Sequence, residues 1–157
     1  MRLPALAAAV LVTLLTACAT PPASPTPSAA GGGVEGLVSA LAAASASVRQ
    51  ADRFDAAPLP GQGVLLCVGR EEVRVYVFTT EQARLAAAAS IDPIDPSHIG
   101  TSIVEWTGNP RFWQRDRILV LYLGTDAPTE ALLTSVMGPP FARGVGGGLG
   151  GPRVSAC

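Results

Sequence analysis

The sequence predicts an α+β fold, a single domain made of an antiparallel sheet with helices packed mainly on one face, and three observations predict it. Residues 64–68 (VLLCV) and 73–77 (VRVYV) are short β-branched runs separated by Gly69-Arg70-Glu71-Glu72, the pattern of a hairpin. Residues 118–123 (ILVLYL) are apolar without interruption, as in a central strand covered on both sides. Three further stretches carry helical periodicity or strong helix propensity.

Val34, Leu37, Val38, Leu41 and Val48 fall at helical spacing among alanines and serines, which predicts a first helix ending near Gln50. Residues 53–57 then begin a weak strand, and Leu59-Pro60-Gly61-Gln62-Gly63 turns the chain into the 64–68 strand. In the strand after the hairpin turn, Val73, Val75 and Val77 alternate with Arg74, Tyr76 and Phe78, so one face is β-branched and the other polar-aromatic. Thr79 or Thr80 caps a second helix over 81–90, with Gln82 in capping-box register to Thr79. Pro93 and Pro96 end it, because each restricts its predecessor to extended geometry.

Residues 102–106 read as a strand, 107–110 (TGNP) as a turn and 111–113 as a short strand leading to 118–123. Thr125 or Asp126 caps a third helix with Pro128 in its first turn. Leu132, Leu133, Val136 and Met137 form its apolar face, and Gly138-Pro139-Pro140 stops it.

The domain so defined covers residues 34–143. Ahead of it, residues 1–17 have the parts of a secretory signal: Arg2, an apolar run over 3–15 and small residues before Cys18. A run of roughly 13 residues is shorter than the about 20 that cross a bilayer as a helix, so it is a targeting segment. Leu15-Thr16-Ala17-Cys18 resembles the lipobox of bacterial lipoproteins. The resemblance implies that Cys18 becomes the N-terminus and carries diacylglycerol and a further acyl chain, since two or three chains anchor firmly where one does not. Residues 18–33 form a Pro/Gly-rich tether reaching up to roughly 45 Å at about 3.1 Å per residue. Residues 144–157 read as a Gly-rich flexible tail.

All eleven basic residues are arginine, and Ala, Gly and Pro are abundant, a compositional bias rather than a functional choice. Without the signal, 10 basic residues face 12 acidic ones, which gives no basic field for phosphates and predicts no nucleic-acid partner. Residues 62–142, most closely 99–106, 118–124 and 137–142, resemble a family of uncharacterised bacterial lipoproteins. That resemblance implies a single-domain lipoprotein of the cell envelope, on the outer face of the cytoplasmic membrane or in the outer membrane, and implies no activity or site residues.

No catalytic residue, metal ligand or cofactor is expected, and the chain is read as not an enzyme. His98 is the one histidine, with Asp92, Asp95 and Ser97 near it in sequence, so a metal-dependent or hydrolytic enzyme built on that loop is the rival reading. A small-solute-binding lipoprotein is a third. Glu71-Glu72 and Glu105 are read as solvated charges, and Gly146-x-Gly148-x-x-Gly151 lacks the strand and helix of a dinucleotide site.

Cys67 and Cys157 remain once Cys18 is acylated; they form a disulfide, or Cys67 is buried and Cys157 free, or Cys157 cross-links to a neighbouring molecule. Trp106 and the stretch from Arg111 through Phe112 and Trp113 to Arg115 concentrate residue types that carry interface energy. They either pack into the core, meet an envelope protein partner, or form a ligand platform. The function expected is thus a non-catalytic interaction or accessory domain held to membrane lipid through acylated Cys18.

Overall fold

A computed structural model describes residues 32–147 and 156–157 of the chain. The signal segment, Cys18, most of the tether and residues 148–155 of the tail lie outside the described residues. In chain order the elements are α1 (Val34–Ala43), β1 (Val48–Phe54), β2 (Gln62–Val68), β3 (Glu71–Val77), α2 (Glu81–Ala89), β4 (His98–Ile99), β5 (Ser102–Ile103), β6 (Arg111–Arg115), β7 (Ile118–Tyr122), α3 (Ala127–Met137) and β8 (Ala142–Arg143). Six strands form one antiparallel sheet in the order β1-β2-β3-β7-β6-β8, and β4 and β5 pair separately, so the α+β expectation holds.

The expected hairpin is β2–β3, registered from Gln62 opposite Val77 to Val68 opposite Glu71. Gly69 closes it at φ +61°, a left-handed conformation that a residue without Cβ adopts freely. Strand alternation then sorts the side chains into two cores. Val64, Leu66, Val73, Val75, Val120 and Trp113 point to one face and meet Leu37 and Leu41 of α1 and Leu133 of α3. Tyr76, Phe112, Leu119 and Leu121 point to the other, under Ala87 and Ala88 of α2, Ile99 of β4 and the loop residues Leu59, Ile91 and Trp106. Two helices therefore cover one face, while one helix and long loops cover the second. This double covering is why β7 has no polar side and is buried throughout.

Both predicted caps form at the second of the two candidates. The Thr80 side chain accepts from the Ala83 N–H at 3.1 Å, and Asp126 accepts from Thr129 at 2.8 Å.

Three expectations change. The first helix stops at Ala43, Ser45 takes φ +66°, and Val48 begins β1 instead of closing a helical stripe. Spacing alone allowed either, but a strand here gains a ladder to β2, with a register shift between Gln50 and Asp52. The strand expected over 102–106 is only Ser102–Ile103, because Trp106 turns inward and its indole N–H donates to the Pro96 carbonyl at 2.9 Å. The stretch read as a tail is held wherever it is described. Beside β8, the Gly144 N–H donates to the Pro110 carbonyl at 3.0 Å and the Gly146 N–H to Asn109 Oδ1 at 3.1 Å.

The chain's two tyrosines are both buried. Burial pushes the Tyr76 hydroxyl up to about 12, offset in part by Arg74. Burial also raises Tyr122, as does the hydrogen bond from its hydroxyl to Glu71 Oε2 at 2.7 Å. A folded pKa above the unfolded value of about 10 favours the folded state below that pH, and the stabilisation is lost as the pH climbs through and beyond it. Spectrophotometric titration should therefore show no phenolate near pH 10, followed by ionisation that coincides with loss of the sheet's circular dichroism. Phenolate appearing with the sheet intact would contradict the burial.

Candidate functional site

The His98 loop was the place to look for chemistry. Asp92 Oδ1 accepts the N–H groups of Ile94 and Asp95 at 2.8 and 3.1 Å, a local turn imposed by the two prolines. Those amide hydrogen bonds hold the Asp92 carboxyl below the usual carboxylate range. Asp95 is held low chiefly by the Ser97 hydroxyl, which donates to Oδ1, while His98 Nδ1 lies 2.9 Å from Oδ2. The carboxylate thus sits between the serine and the histidine. A hydrolytic triad needs the histidine in the middle to take the hydroxyl proton, and a carboxylate with a lowered pKa is a weak base for that task. Among the described residues no group of three or more His, Cys, Asp or Glu side chains is arranged to hold a metal ion. The loop's polar atoms fold the loop.

The predicted contact patch is divided by the sheet. Phe112 and Trp113 are both 0 % exposed and lie in opposite cores, so neither meets a partner while the domain is folded. Arg111 donates to the Gly124 carbonyl at 2.9 Å and pairs through Nε with Glu130 Oε2 at 2.9 Å. The other Glu130 oxygen takes Arg143 at 2.7 Å. Arg115 caps the end of α3 by donating to the Val136 carbonyl. These arginines tie α3 to β6 and β8. Glu71 and Glu72, expected in water, instead accept hydrogen bonds from Tyr122 and from the Ala156 N–H at 2.6 Å.

The cysteine alternatives resolve in favour of pairing: Cys67 and Cys157 are joined, with Cα atoms 5.4 Å apart. Arg49 and Glu72 flank the bond by binding the Ala156 carbonyl and N–H. Cys18 lies outside the described residues.

The concave surface lies elsewhere. A groove of about 490 Å³ runs over Trp106 between the β4–β5 hairpin and the segment after β8, with Ser97, Ile103, Glu105, Val145 and Gly146 in its walls. No Cβ fits at Gly146, where it would stand 2.0 Å from the Gly108 carbonyl oxygen, so backbone packs on backbone there. Ile103 is 74 % and Val145 90 % exposed, and Ile94 on the adjoining loop is 87 % exposed. Two exposed apolar side chains on one groove, Ile103 and Val145, mark a contact surface more often than a lone exposed side chain does. Sequence reasoning placed Trp106 near an interface but missed Ile103 and Val145. The available signals were an isoleucine in a two-residue strand and a valine isolated among glycines.

No family model, curated protein or solved structure matches the chain. Function therefore has to be argued from these residues. A smaller depression of about 280 Å³ beside Pro60, Gln62 and Phe78 has no comparable exposed apolar rim.

The groove's position relative to the predicted anchor is defined by β6. The Gly32 carbonyl, just before α1, accepts from Arg117 at 2.8 Å in the β6–β7 turn. The groove lies beyond the other end of β6, beside Gly108 and Pro110. Five residues of strand separate the two by about 15 Å. No helix among the described residues is long and apolar enough to cross a membrane.

Proposed function

We propose that this chain is a lipid-anchored cell-envelope protein, a non-catalytic interaction or accessory domain carried on a tether from acylated Cys18. The observation that carries the proposal is Leu15-Thr16-Ala17-Cys18 at the end of an apolar run too short to remain as a span. The Cys67–Cys157 bond supports it, since disulfides persist outside the reducing cytosol. The chain is placed on the outer face of the cytoplasmic membrane or in an outer membrane. Ala19 after the acylated cysteine is not the aspartate that signals inner-membrane retention.

The groove supports a second reading. Its volume of about 490 Å³ is within the range of small-molecule sites, roughly 300–1,000 Å³. A solute-binding lipoprotein would use the same Trp106 floor. The enzyme reading built on His98 gains no support from an aspartate placed between serine and histidine.

Metabolic labelling with an alkyne fatty acid tests the anchor. The wild-type chain should incorporate the label and partition into detergent, and Cys18→Ser should lose the label completely. Equal labelling of the variant, or an unlabelled wild-type chain cut elsewhere, would overturn the proposal.

A further inference from the structure

We propose that the groove over Trp106 binds a short extended segment of a partner protein, one that presents an apolar side chain flanked by basic residues. The inference rests on the interaction reading above and deepens it by naming the surface and the chemistry of its partner.

Three features select that chemistry. The rim is apolar and projects into water at Ile103 and Val145, above the indole of Trp106, so an aliphatic or aromatic side chain finds cover on three sides. The surrounding charge is acidic. Glu105 lies in the wall, and Asp92 and Asp95 stand on the loop that continues into Ser97. Arg111 and Arg143 share the single carboxylate of Glu130, and Asp95 also holds His98, so the four carboxylates Glu105, Asp92, Asp95 and Glu130 stand against two arginines. The remaining field attracts a cationic segment and repels an acidic one. Finally, the groove opens beyond the end of β6 that lies away from Gly32.

The same features disfavour other occupants. An anionic lipid surface would be repelled by Glu105, Asp92 and Asp95. A second copy would bring its own acidic rim against this one in a two-fold contact. A partner segment with basic flanks meets neither obstacle.

The test uses the full chain in neutral detergent micelles and the two tryptophan indole N–H signals in an NMR titration. Trp106 donates its indole N–H to Pro96, whereas Trp113 lies in the opposite core, so the two signals report separately. The probes are capped pentapeptides: a central leucine between arginines, the same peptide with glutamates for the arginines, and the same with serine for the leucine. The leucine–arginine peptide should shift the Trp106 signal saturably and leave Trp113 unmoved. The other two should bind at least about tenfold more weakly.

Ile103→Ser combined with Val145→Ser changes only exposed side chains and should weaken binding about tenfold. Glu105→Gln should reduce the preference for arginine over glutamate flanks about threefold. Equal response to all three peptides, movement of Trp113, or no loss in the double variant would overturn the inference. So would binding to anionic vesicles, or self-association, that the double variant abolishes.

Acylation of Cys18 is read by mass on the same preparation, which separates the two claims. Peptide binding by an unacylated chain would retain the groove and reject the anchor. An acylated chain that ignores the peptides would reject the groove alone.

Discussion

Cys157→Ser is expected to lower the stability of the domain by about 4 kcal/mol, on the loop-closure argument that a cross-link removes entropy from the unfolded chain in proportion to the logarithm of the loop. Here the bonded cysteines are 90 residues apart, and the loop takes in every element from β3 to β8 while α1 and β1 lie outside it. The flanking contacts act in the same direction. Ala156 is bound through its N–H by Glu72 and through its carbonyl by Arg49, and both contacts depend on the chain end being held at β2. The serine is best placed at 157, because Cys67 is buried and a hydroxyl there would add its own desolvation. Chemical denaturation of the variant against the oxidised wild type measures the loss. Domains of this size have about 5–15 kcal/mol in total, so the midpoint should fall by about a quarter or more. A change below about 1 kcal/mol would mean that the unfolded chain is already compact across this loop.

The second large effect is expected at Arg84, which is 5 % exposed on α2 and is the one buried charged side chain among the described residues. Its guanidinium is satisfied on three sides: Nε donates to the Asp116 carbonyl at 3.0 Å, one amino group to Gln114 Oε1 at 2.7 Å and the other to Glu81 Oε1 at 2.8 Å. The clamp ties α2 to the β6–β7 turn, where Asp116 takes φ +47°. Arg84→Ala strands the Gln114 and Asp116 acceptors and opens a void, and is expected to cost about 3 kcal/mol. Arg84→Lys should recover little, since a single ammonium cannot span three acceptors in a plane. Arg84→Met, which restores volume without the charge, should recover part of the loss. Thermal or chemical unfolding of the three variants gives the order. If lysine matched arginine, the planar geometry would not be what holds the turn.

The β2–β3 hairpin, the apolar β7 and the caps at Thr80 and Asp126 were legible because each is written in a local signal: alternation, an unbroken apolar run, a side-chain acceptor three residues before its donor. Val48 was misassigned because its distance from Leu41 suits a helix, while the competing signal is a ladder to residues 64–68 that only the folded sheet supplies. Phe112 and Trp113 were read as a contact patch because their residue types carry interface energy, and the core alternative holds instead: adjacent strand residues face opposite ways, and each face of β6 is covered. Arg84 gave no warning. Glu81 is a local i,i+3 partner of the kind any exposed helix carries, and the two partners that make the clamp, Gln114 and Asp116, lie about 30 residues away, beyond any local pattern. The groove was hidden for the same reason. Its walls come from residues 97–107 and 145–147, which meet only because β8 pairs with β6 and the Gly144 and Gly146 N–H groups bind beside Pro110.

The mass of the N-terminal peptide of the protein extracted from its native envelope tests most directly whether the chain is anchored through Cys18. The predicted result is a chain that begins at Cys18 and carries the mass of diacylglycerol, with or without a third acyl chain. An unmodified Cys18, or a chain that retains residues 1–17, would contradict it.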